Sequence, residues 1–321
     1  MTAMIPVDLI TGFLGAGKTT FLLRYARYWM GQGKRIGVLV YDHGAVNVDL
    51  PLLGALRGDK CELEMLAGGC DADCHRRRFR AKLIAMGMSG YDRVLIEPSG
   101  VFDMDEFFDT LREPPLDRWF EPGNVICVVD AKLDGEGSPE EDFFLASQAA
   151  CAGCVLLSRV QLASPEEIAR TRERIRQAAK AIRCDLDPCT NILAKDWAAL
   201  TGEDYARLSR CGYRAADYVK TVAGNASGFQ ALSYLDLPLE GEDLRERAAL
   251  LLREERFGHV LRVKGFFREE GLWYRLNATA HESRIEPAPE ERGAITVIGS
   301  ELNEEAISIL LTGKPPEHPI L

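Results

Sequence analysis

Short runs of apolar residues alternate with segments of helical periodicity through the first two thirds of the chain. Residues 7–10 form the first run, and residues 18–30 follow a glycine-rich stretch with apolar side chains at helical spacing. Continuous apolar runs suit strands that are buried on both faces of a parallel sheet. The pattern therefore predicts repeated βα units. Further strands are predicted at residues 35–40, 93–96, 125–129, 155–157 and 191–193.

A capped helix is predicted between the last two of these strands. Ser164 suits the N-cap, Pro165 the first helical position, and Glu167 completes a capping box. We expect this helix to run to about residue 182. Its many charged side chains indicate a helix that faces solvent.

The pattern changes after residues 223–228, whose Gly, Ala, Asn and Ser residues indicate a linker. Runs at residues 258–267, 272–276 and 295–298 then predict antiparallel strands, and a helix is expected after Asn303. We therefore predict an α/β domain with a mostly parallel sheet at residues 1–222. A smaller α+β domain follows at residues 229–321.

Composition and charge narrow the classes of function. Of the 321 residues 46% are hydrophobic, as in ordinary globular proteins. Because 39 basic residues face 49 acidic ones, the net charge of −10 has the wrong sign for a nucleic-acid or anionic-membrane partner. No apolar run reaches the roughly 18 residues of a membrane span, and the first residues lack the basic region of a signal peptide. We expect a cytoplasmic protein whose nine cysteines are reduced, with no nucleic-acid or membrane partner.

The strongest chemical signal is a GxxxxGK[ST] motif between the first predicted strand and helix. Its glycines let backbone N–H groups point at phosphate oxygens, and the helix N-terminus adds partial positive charge. Lys18 is expected to reach the β- and γ-phosphates, and Thr19 to bind Mg²⁺ through its hydroxyl. The candidate nucleotide-binding residues of this segment are Gly12, Gly15, Ala16, Gly17, Lys18, Thr19 and Thr20.

Acidic residues that follow two predicted strands are candidates for catalysis. Glu97 ends one apolar run and is followed by Pro98, Ser99 and Gly100. Glu97 is suited to orient a metal-bound or attacking water, and the Gly100 N–H to contact the γ-phosphate. Asp42 and Asp49 follow the second strand on a predicted switch loop. The alternative is that these acids cap helices or turns.

At these motifs the chain resembles the CobW/HypB/UreG family of P-loop GTPases and metallochaperones, most closely its CobW-like branch. Residues 12–20 resemble the branch's Walker A segment, residues 40–49 its switch segment and residues 96–100 its ETTG-type motif. Residues 258–265 and 295–299 resemble its C-terminal domain. The resemblance implies Mg-GTP hydrolysis coupled to delivery of a transition metal, or to assembly of a metal- or cobalamin-dependent client protein.

The family's metal-binding GCxCC motif corresponds here to a segment with two cysteines four positions apart. If the segment is helical, Cys70 and Cys74 share one face. Together with the neighbouring acids and a histidine they suit a tetrahedral Zn²⁺ or Co²⁺ site, completed by Cys61, a partner or water. A four-thiolate site across a homodimer, or structural thiols beside surface acids, are the alternatives. The candidate ligands are Cys70, Asp71, Asp73, Cys74 and His75.

The family's base-reading NKxD motif corresponds to Ser158, Arg159, Val160 and Gln161. Gln161 carries one acceptor and one donor group, whereas the family's aspartate offers two acceptors to guanine. Arg159 is expected to stack over the base in place of the family's lysine. GTP is the favoured nucleotide, with ATP or relaxed specificity as the alternative.

Two other classes of function share the phosphate-binding motif. A nucleotide-gated adaptor would serve a metalloenzyme client and carry no metal itself, which agrees with the altered cysteine motif. A small-molecule kinase would also need the P-loop, but the segment around Glu97 and Gly100 and the resemblance of the C-terminal domain count against it.

Overall fold

The computed structural model describes residues 4–42, 53–67, 72–133, 137–220, 229–237, 239–279, 283–288 and 293–316. The chain divides into two compact units, one built from residues up to 41 and from 52 to 226, the other containing Ser227–Leu321. The predicted linker at residues 223–228 lies outside the described residues. Each unit has its own cluster of buried apolar side chains.

A parallel sheet forms the centre of the first unit. Its strands are β1 (Ile5–Thr11), β2 (Ile36–Asp42), β3 (Cys61–Ala67), β4 (Arg93–Glu97), β5 (Phe120–Asp130), β6 (Cys154–Ser158) and β7 (Ile192–Leu193). Their order is β3-β2-β4-β1-β5-β6-β7, and the pairs from β2 to β7 are all parallel. The predicted α/β architecture is confirmed. The continuous apolar runs of the sequence are the central strands, which are buried on both faces.

Helices connect these strands. They are α1 (Lys18–Gly31), α2 (Ala72–Gly87), α3 (Met104–Arg112), α4 (Pro139–Cys151), α5 (Pro165–Ala181) and α6 (Gly202–Leu208). Short 3₁₀ helices occur at Leu116–Arg118, Val160–Leu162, Pro188–Thr190 and Trp197–Ala199. The capping box predicted at Ser164 and Glu167 opens α5. The expectation that α5 faces solvent is wrong for one side, because a narrow stripe that includes Thr171 and Ile175 is fully buried.

The edge strand β3 is an element that the sequence pattern does not predict. Its Glu62 and Glu64 alternate with apolar residues, so the segment has no continuous apolar run. At the edge of the sheet these acids reach solvent, where Glu62 pairs with Arg35 at 2.7 Å and Glu64 with Lys82 at 2.9 Å. An edge strand tolerates this polar pattern because it needs burial on fewer sides.

An antiparallel sheet forms the second unit. Its strands are β8 (Phe229–Leu235), β9 (His259–Glu269), β10 (Leu272–Thr279), β11 (Ser283–Pro287) and β12 (Ala294–Ser300), in the order β11-β10-β9-β12-β8. Helices α7 (Gly241–Leu251) and α8 (Glu304–Thr312) add Leu244 and Ile307 to the core beside Val263. This confirms the predicted smaller α+β architecture. Within the described residues of both units, no helix combines the length and apolar content needed to cross a membrane.

Candidate nucleotide site

The glycine-rich loop between β1 and α1 has a backbone that only glycine accommodates at its first position. Gly12 has φ 139°, and a β-carbon there would lie 2.1 Å from the Val128 carbonyl oxygen of β5. Gly15 and Gly17 also have positive φ, at 75° and 102°. The loop therefore takes the left-handed turns that direct successive N–H groups inward, as a phosphate cradle requires.

Lys18 is the first residue of α1, and its side chain folds back over this loop. It is buried, and its ammonium donates to the carbonyl oxygens of Gly12 at 2.8 Å and Phe13 at 3.3 Å. Ala16 is buried in the loop, whereas Thr20 is exposed on the helix. The positive charge of Lys18 is thus concentrated at the mouth of the loop, where an anion would bind.

Thr19 and Glu97 meet at the carboxyl edge of the sheet. The Thr19 hydroxyl donates to Glu97 Oε1 at 2.7 Å, and the buried Glu97 ends β4, the neighbour of β1. A hydroxyl and a carboxylate are the hard oxygen donors that Mg²⁺ prefers. The donors present at this edge therefore fit a magnesium ion beside the phosphate cradle. Asp42 ends β2 at the same edge, two residues beyond the Val40 that pairs with Glu97.

The segment after Glu97 lies directly on the glycine-rich loop. A β-carbon on Gly100 would approach the Leu14 nitrogen to 2.5 Å. The buried Gln148 of α4 holds this segment, because its amide donates to the carbonyl oxygens of Gly100 at 3.0 Å and Phe102 at 3.3 Å. Sequence reasoning missed Gln148, which resembles any polar residue of an apolar helix.

Arg159 contacts the same loop from the other side. Its guanidinium donates to the Gly15 carbonyl oxygen at 3.1 and 3.2 Å and pairs with Asp130 Oδ2 at 2.5 Å. The structure thus gives Arg159 a loop-holding contact that the expectation of base stacking did not include. Asp130 was also missed, although an acid that ends an apolar run was the available signal.

The segments after β6 and β7 flank the loop near Arg159. Ser158 is buried at the end of β6, and Gln161 is exposed on the 3₁₀ helix Val160–Leu162. Trp197, which sequence reasoning also missed, lies 3.3 Å from the position of a β-carbon on Gly17. Its indole donates to the Leu157 carbonyl oxygen at 2.9 Å. These residues border the loop on the side opposite Glu97 and Gly100.

The predicted transition-metal segment falls largely outside the described residues. Cys70, Asp71 and the switch residue Asp49 lie there, as do the side chains of Asp42, Asp73, Cys74 and His75. The backbone of α2 begins at Ala72, so Cys74 and His75 belong to its first turn and Cys70 precedes it. Among the side chains that the structure describes, no three His, Cys, Asp or Glu groups converge as a metal site.

Cys61 is separated from that segment by the length of a strand. It is the first residue of β3, whereas residues 70–75 follow the carboxyl end of β3. Seven residues of strand span about 20 Å. Cys61 is also buried, which raises the pKa of its thiol to about 11. Cys61 therefore lies buried at the end of β3 that is farther from Ala67.

Glu106 is an unusual carboxyl group within electrostatic reach of Arg76. It lies in the first turn of α3, and burial raises the pKa of its side chain to about 7. The nearby Asp103 raises this pKa further, and Arg76 of α2 lowers it. Sequence reasoning did not select Glu106, because nothing in its local pattern separates it from a surface acid.

The chain is similar to known proteins of one nucleotide-binding family. Residues 6–184 match the model of the CobW/HypB/UreG nucleotide-binding domain. The zinc chaperone YeiR of Escherichia coli is 30% identical over 51% of this chain and 49% of YeiR, so the aligned part spans about half of that relative. The zinc chaperone CobW of Pseudomonas aeruginosa is 29% identical over 95% of this chain and 90% of that relative. The Zn(II)-bound YjiA GTPase of E. coli is 20% identical with a TM-score of 0.37, covering 98% of this chain and 100% of that chain.

Proposed function

Because this chain belongs to the CobW/HypB/UreG family, we propose that it binds and hydrolyses Mg-GTP and couples this cycle to delivery of a transition metal to a metal- or cobalamin-dependent client. The observation that carries the nucleotide part is the contact between Thr19 and Glu97 beside the Lys18 ammonium. The metal part is supported by similarity to relatives that are named as zinc chaperones.

In the proposed reaction the loop binds the triphosphate and the two flanking segments orient it. Lys18, which donates to the Gly12 carbonyl oxygen, turns its ammonium to the β- and γ-phosphates. Thr19 and Glu97 would hold a magnesium ion, whose charge would neutralise that of the phosphates. Glu97 also orients the attacking water. Asp42 and Asp49 assist catalysis from the switch loop.

The transition metal is the proposed cargo. Zn²⁺ or Co²⁺ is bound by Cys70 and Cys74, with Asp71, Asp73 and His75 as further ligands, since these metals accept mixed thiolate, imidazole and carboxylate sets. We propose that nucleotide hydrolysis is coupled to metal release because of the order of these segments in the sequence. Residues 70–75 come after the switch loop that follows β2 and before the Glu97 segment. Gly100 lies against Leu14 of the glycine-rich loop. In this proposal, loss of the γ-phosphate changes the surroundings of the Gly100 N–H, and the segment of residues 70–75 then relaxes.

A metal titration in defined nucleotide states tests this proposal. The reduced full-length chain is titrated with Zn²⁺ and Co²⁺ against a competing chelator, without nucleotide, with a Mg-GTP analogue and with a Mg-ATP analogue. We expect the GTP analogue to tighten metal binding about tenfold or more, a coupling of about 1.4 kcal/mol. Equal affinity in all three states would contradict coupling.

Three variants separate the parts of the proposal. Cys70→Ser should abolish tight metal binding, whereas Lys18→Ala should keep metal binding and lose the nucleotide effect. Cys189→Ser is the matched control, because that half-buried thiol contacts the Arg172 carbonyl oxygen at 3.4 Å, far along the chain from the metal segment. If Cys189→Ser weakens metal binding as much as Cys70→Ser does, the effect is not specific to the segment of residues 70–75.

The adaptor alternative makes a different prediction about the client. If the chain carries no metal, Cys70→Ser and Cys74→Ser leave client activation intact, and Lys18→Ala still abolishes it. The altered cysteine spacing favours this alternative. A client-activation assay with these three variants therefore separates a metal carrier from a nucleotide-gated adaptor.

A further inference from the structure

Trp197 is an aromatic side chain that lies against the end of the glycine-rich loop. It follows β7 and begins the 3₁₀ helix Trp197–Ala199. The Cη2 atom of its indole is 3.3 Å from the position of a β-carbon on Gly17, and the Ser158 β-carbon is 3.7 Å from the same position. The indole therefore fills the space between the last glycine of the loop and the end of β6.

Several contacts fix the orientation of this indole. Its Nε1 donates to the Leu157 carbonyl oxygen at 2.9 Å, and its ring lies 5.7 Å from the ring of the buried Phe21, tilted by 58°. The Arg24 guanidinium donates to the Trp197 carbonyl oxygen at 2.9 Å. The side chain is still partly exposed. A ring that is already held in place loses little conformational freedom when a ligand packs on it.

The strand order sets the direction in which a bound nucleotide would lie. In the order β4-β1-β5-β6-β7, the end of β4 lies on one side of the loop and the ends of β6 and β7 lie on the other. Glu97, which bonds Thr19, and Gly100, which lies against Leu14, are on the β4 side. These residues are the ones proposed to meet the magnesium ion and the γ-phosphate. The nucleoside end of an extended triphosphate then points toward β6, β7 and Trp197.

Trp197 differs in chemistry from the polar side chains on this side. Arg159 donates to the Gly15 carbonyl oxygen and pairs with Asp130, and Gln161 lies exposed on the 3₁₀ helix Val160–Leu162. An aromatic ring stacks on any nucleobase, because every base has a π face. The indole of Trp197 therefore suits a purine whatever hydrogen-bonding groups that purine carries on its edge.

From this placement we propose that the indole of Trp197 stacks on the base of the bound nucleoside triphosphate, and that this contact does not distinguish guanine from adenine. The inference rests on the proposed nucleotide binding and adds the residue that binds the base through its face. Preference between the two bases is then left to groups that meet the base edge, such as the Gln161 amide.

Calorimetric titration of the full-length chain with three ligands tests the assignment. The ligands are a Mg-GTP analogue, a Mg-ATP analogue and Mg-tripolyphosphate, which carries three phosphates and no nucleoside. We expect Trp197→Leu to weaken binding of both nucleotide analogues about tenfold and to leave binding of tripolyphosphate within about twofold of wild type. Trp197→Phe keeps an aromatic ring and should show a smaller loss. Trp29→Leu is the matched control, because Trp29 also packs on an aromatic ring of α1, that of Tyr25 at 6.0 Å.

Tryptophan fluorescence gives a second measurement, on the wild-type chain and on single replacements of its four tryptophans. A purine that stacks on an indole quenches the emission of that indole. We therefore expect both nucleotide analogues to reduce the emission of the wild-type chain and Mg-tripolyphosphate to leave it unchanged. Trp197→Phe should remove this response, and Trp29→Phe should retain it.

The outcomes distinguish this inference from the proposed function. If Trp197→Leu weakens tripolyphosphate binding as much as nucleotide binding, the indole only supports the loop and the inference is wrong. A loss for one nucleotide analogue alone, or unchanged binding of all three ligands, would also overturn it. In each of these cases the wild-type chain still binds nucleotide. A wild-type chain that binds neither tripolyphosphate nor either analogue would overturn the proposed nucleotide site itself.

Discussion

At the proposed site, Gln161 is assigned to recognition of the base, and other residues are assigned to binding of the phosphates. It lies exposed on the 3₁₀ helix Val160–Leu162, whereas the phosphate cradle is built by the glycine-rich loop and Lys18. The amide of Gln161 offers one donor and one acceptor, which does not match the two donors on the edge of guanine. A change at this position should therefore alter the choice of base and leave phosphate binding unchanged.

We expect Gln161→Asp to increase the preference for GTP over ATP about tenfold, because a carboxylate restores two acceptors for guanine. Competition between fluorescent GTP and ATP analogues measures this ratio. Gln177→Asp, on the exposed side of α5, is the matched control. An unchanged ratio in Gln161→Asp would mean that this side chain does not face the base.

Glu106 gives a second prediction for a single residue, in the pH dependence of stability. Its ordinary pKa of 4.5 is raised to about 7 by burial, with Asp103 adding to the effect. Between about pH 4.5 and 7 the folded chain therefore retains a proton that the unfolded chain has released. The contribution of Glu106 to stability is consequently lost as the pH rises through this range.

In metal-free protein, Glu106→Gln removes this loss. We expect the free energy of unfolding of the variant, relative to wild type, to rise by at most about 3 kcal/mol between about pH 5 and pH 8. Urea denaturation of both proteins with a chelator present measures the change. A difference that stays constant with pH would contradict the raised pKa.

Among the elements, the glycine-rich loop is held by side chains from several strands and helices. Arg159 bonds the Gly15 carbonyl oxygen and pairs with Asp130 at the end of β5. On the other side, Gln148 of α4 holds the backbone of Gly100 against the loop. Because these contacts come from rigid elements, they fix the loop in the form that suits an anion.

Arg159→Met removes the guanidinium and keeps an apolar stem of similar length. We expect it to raise the dissociation constant for Mg-nucleotide about tenfold, since a charged hydrogen bond of this kind is worth about 1.5–3 kcal/mol. Fluorescent nucleotide titration measures the effect. Arg176→Met is the control, because the ion pairs of Arg176 with Glu173 and Asp187 are 40–52% exposed. If both variants lose the same affinity for Mg-nucleotide, the contact of Arg159 with the loop is not the cause of the loss.

For the whole molecule, the two units have independent cores. The first core surrounds the parallel sheet and includes Phe21 and Leu95, and the second core includes Val263, Val297 and Ile307. Separate cores predict separate cooperative unfolding of the two units. Ligands of the nucleotide loop should then stabilise the first unit selectively.

Ile307→Ala tests this independence. Ile307 is fully buried in the second core, and we expect its truncation to destabilise that unit by about 2–5 kcal/mol. Calorimetry should show two transitions, of which the substitution lowers one and a Mg-GTP analogue raises the other. A single transition that responds to both changes would contradict independent units.

Local patterns explain which parts of the fold and site could be predicted. The central strands, the capping box at Ser164 and the loop from Gly12 to Thr19 depend on residues a few positions apart, so they follow from the sequence. β3 was not predicted from the sequence because Glu62 and Glu64 interrupt its apolar pattern. Asp130, Gln148 and Trp197 were not predicted because their partners are distant in sequence. Asp130 pairs with Arg159, Gln148 bonds the Gly100 carbonyl oxygen, and Trp197 lies against Gly17.

The sequence by itself determined the architecture of both units, the phosphate-binding loop and the family, because apolar periodicity, capping and a glycine-rich motif act over short stretches of chain. Only the tertiary structure decided that Thr19 meets Glu97, that Arg159 bonds the loop, and that Gln148 bonds the Gly100 segment. It also decided that the oxygen of Glu106 is buried without a partner in the described residues. Burial and long-range contact arise when elements pack together, and no local pattern encodes them.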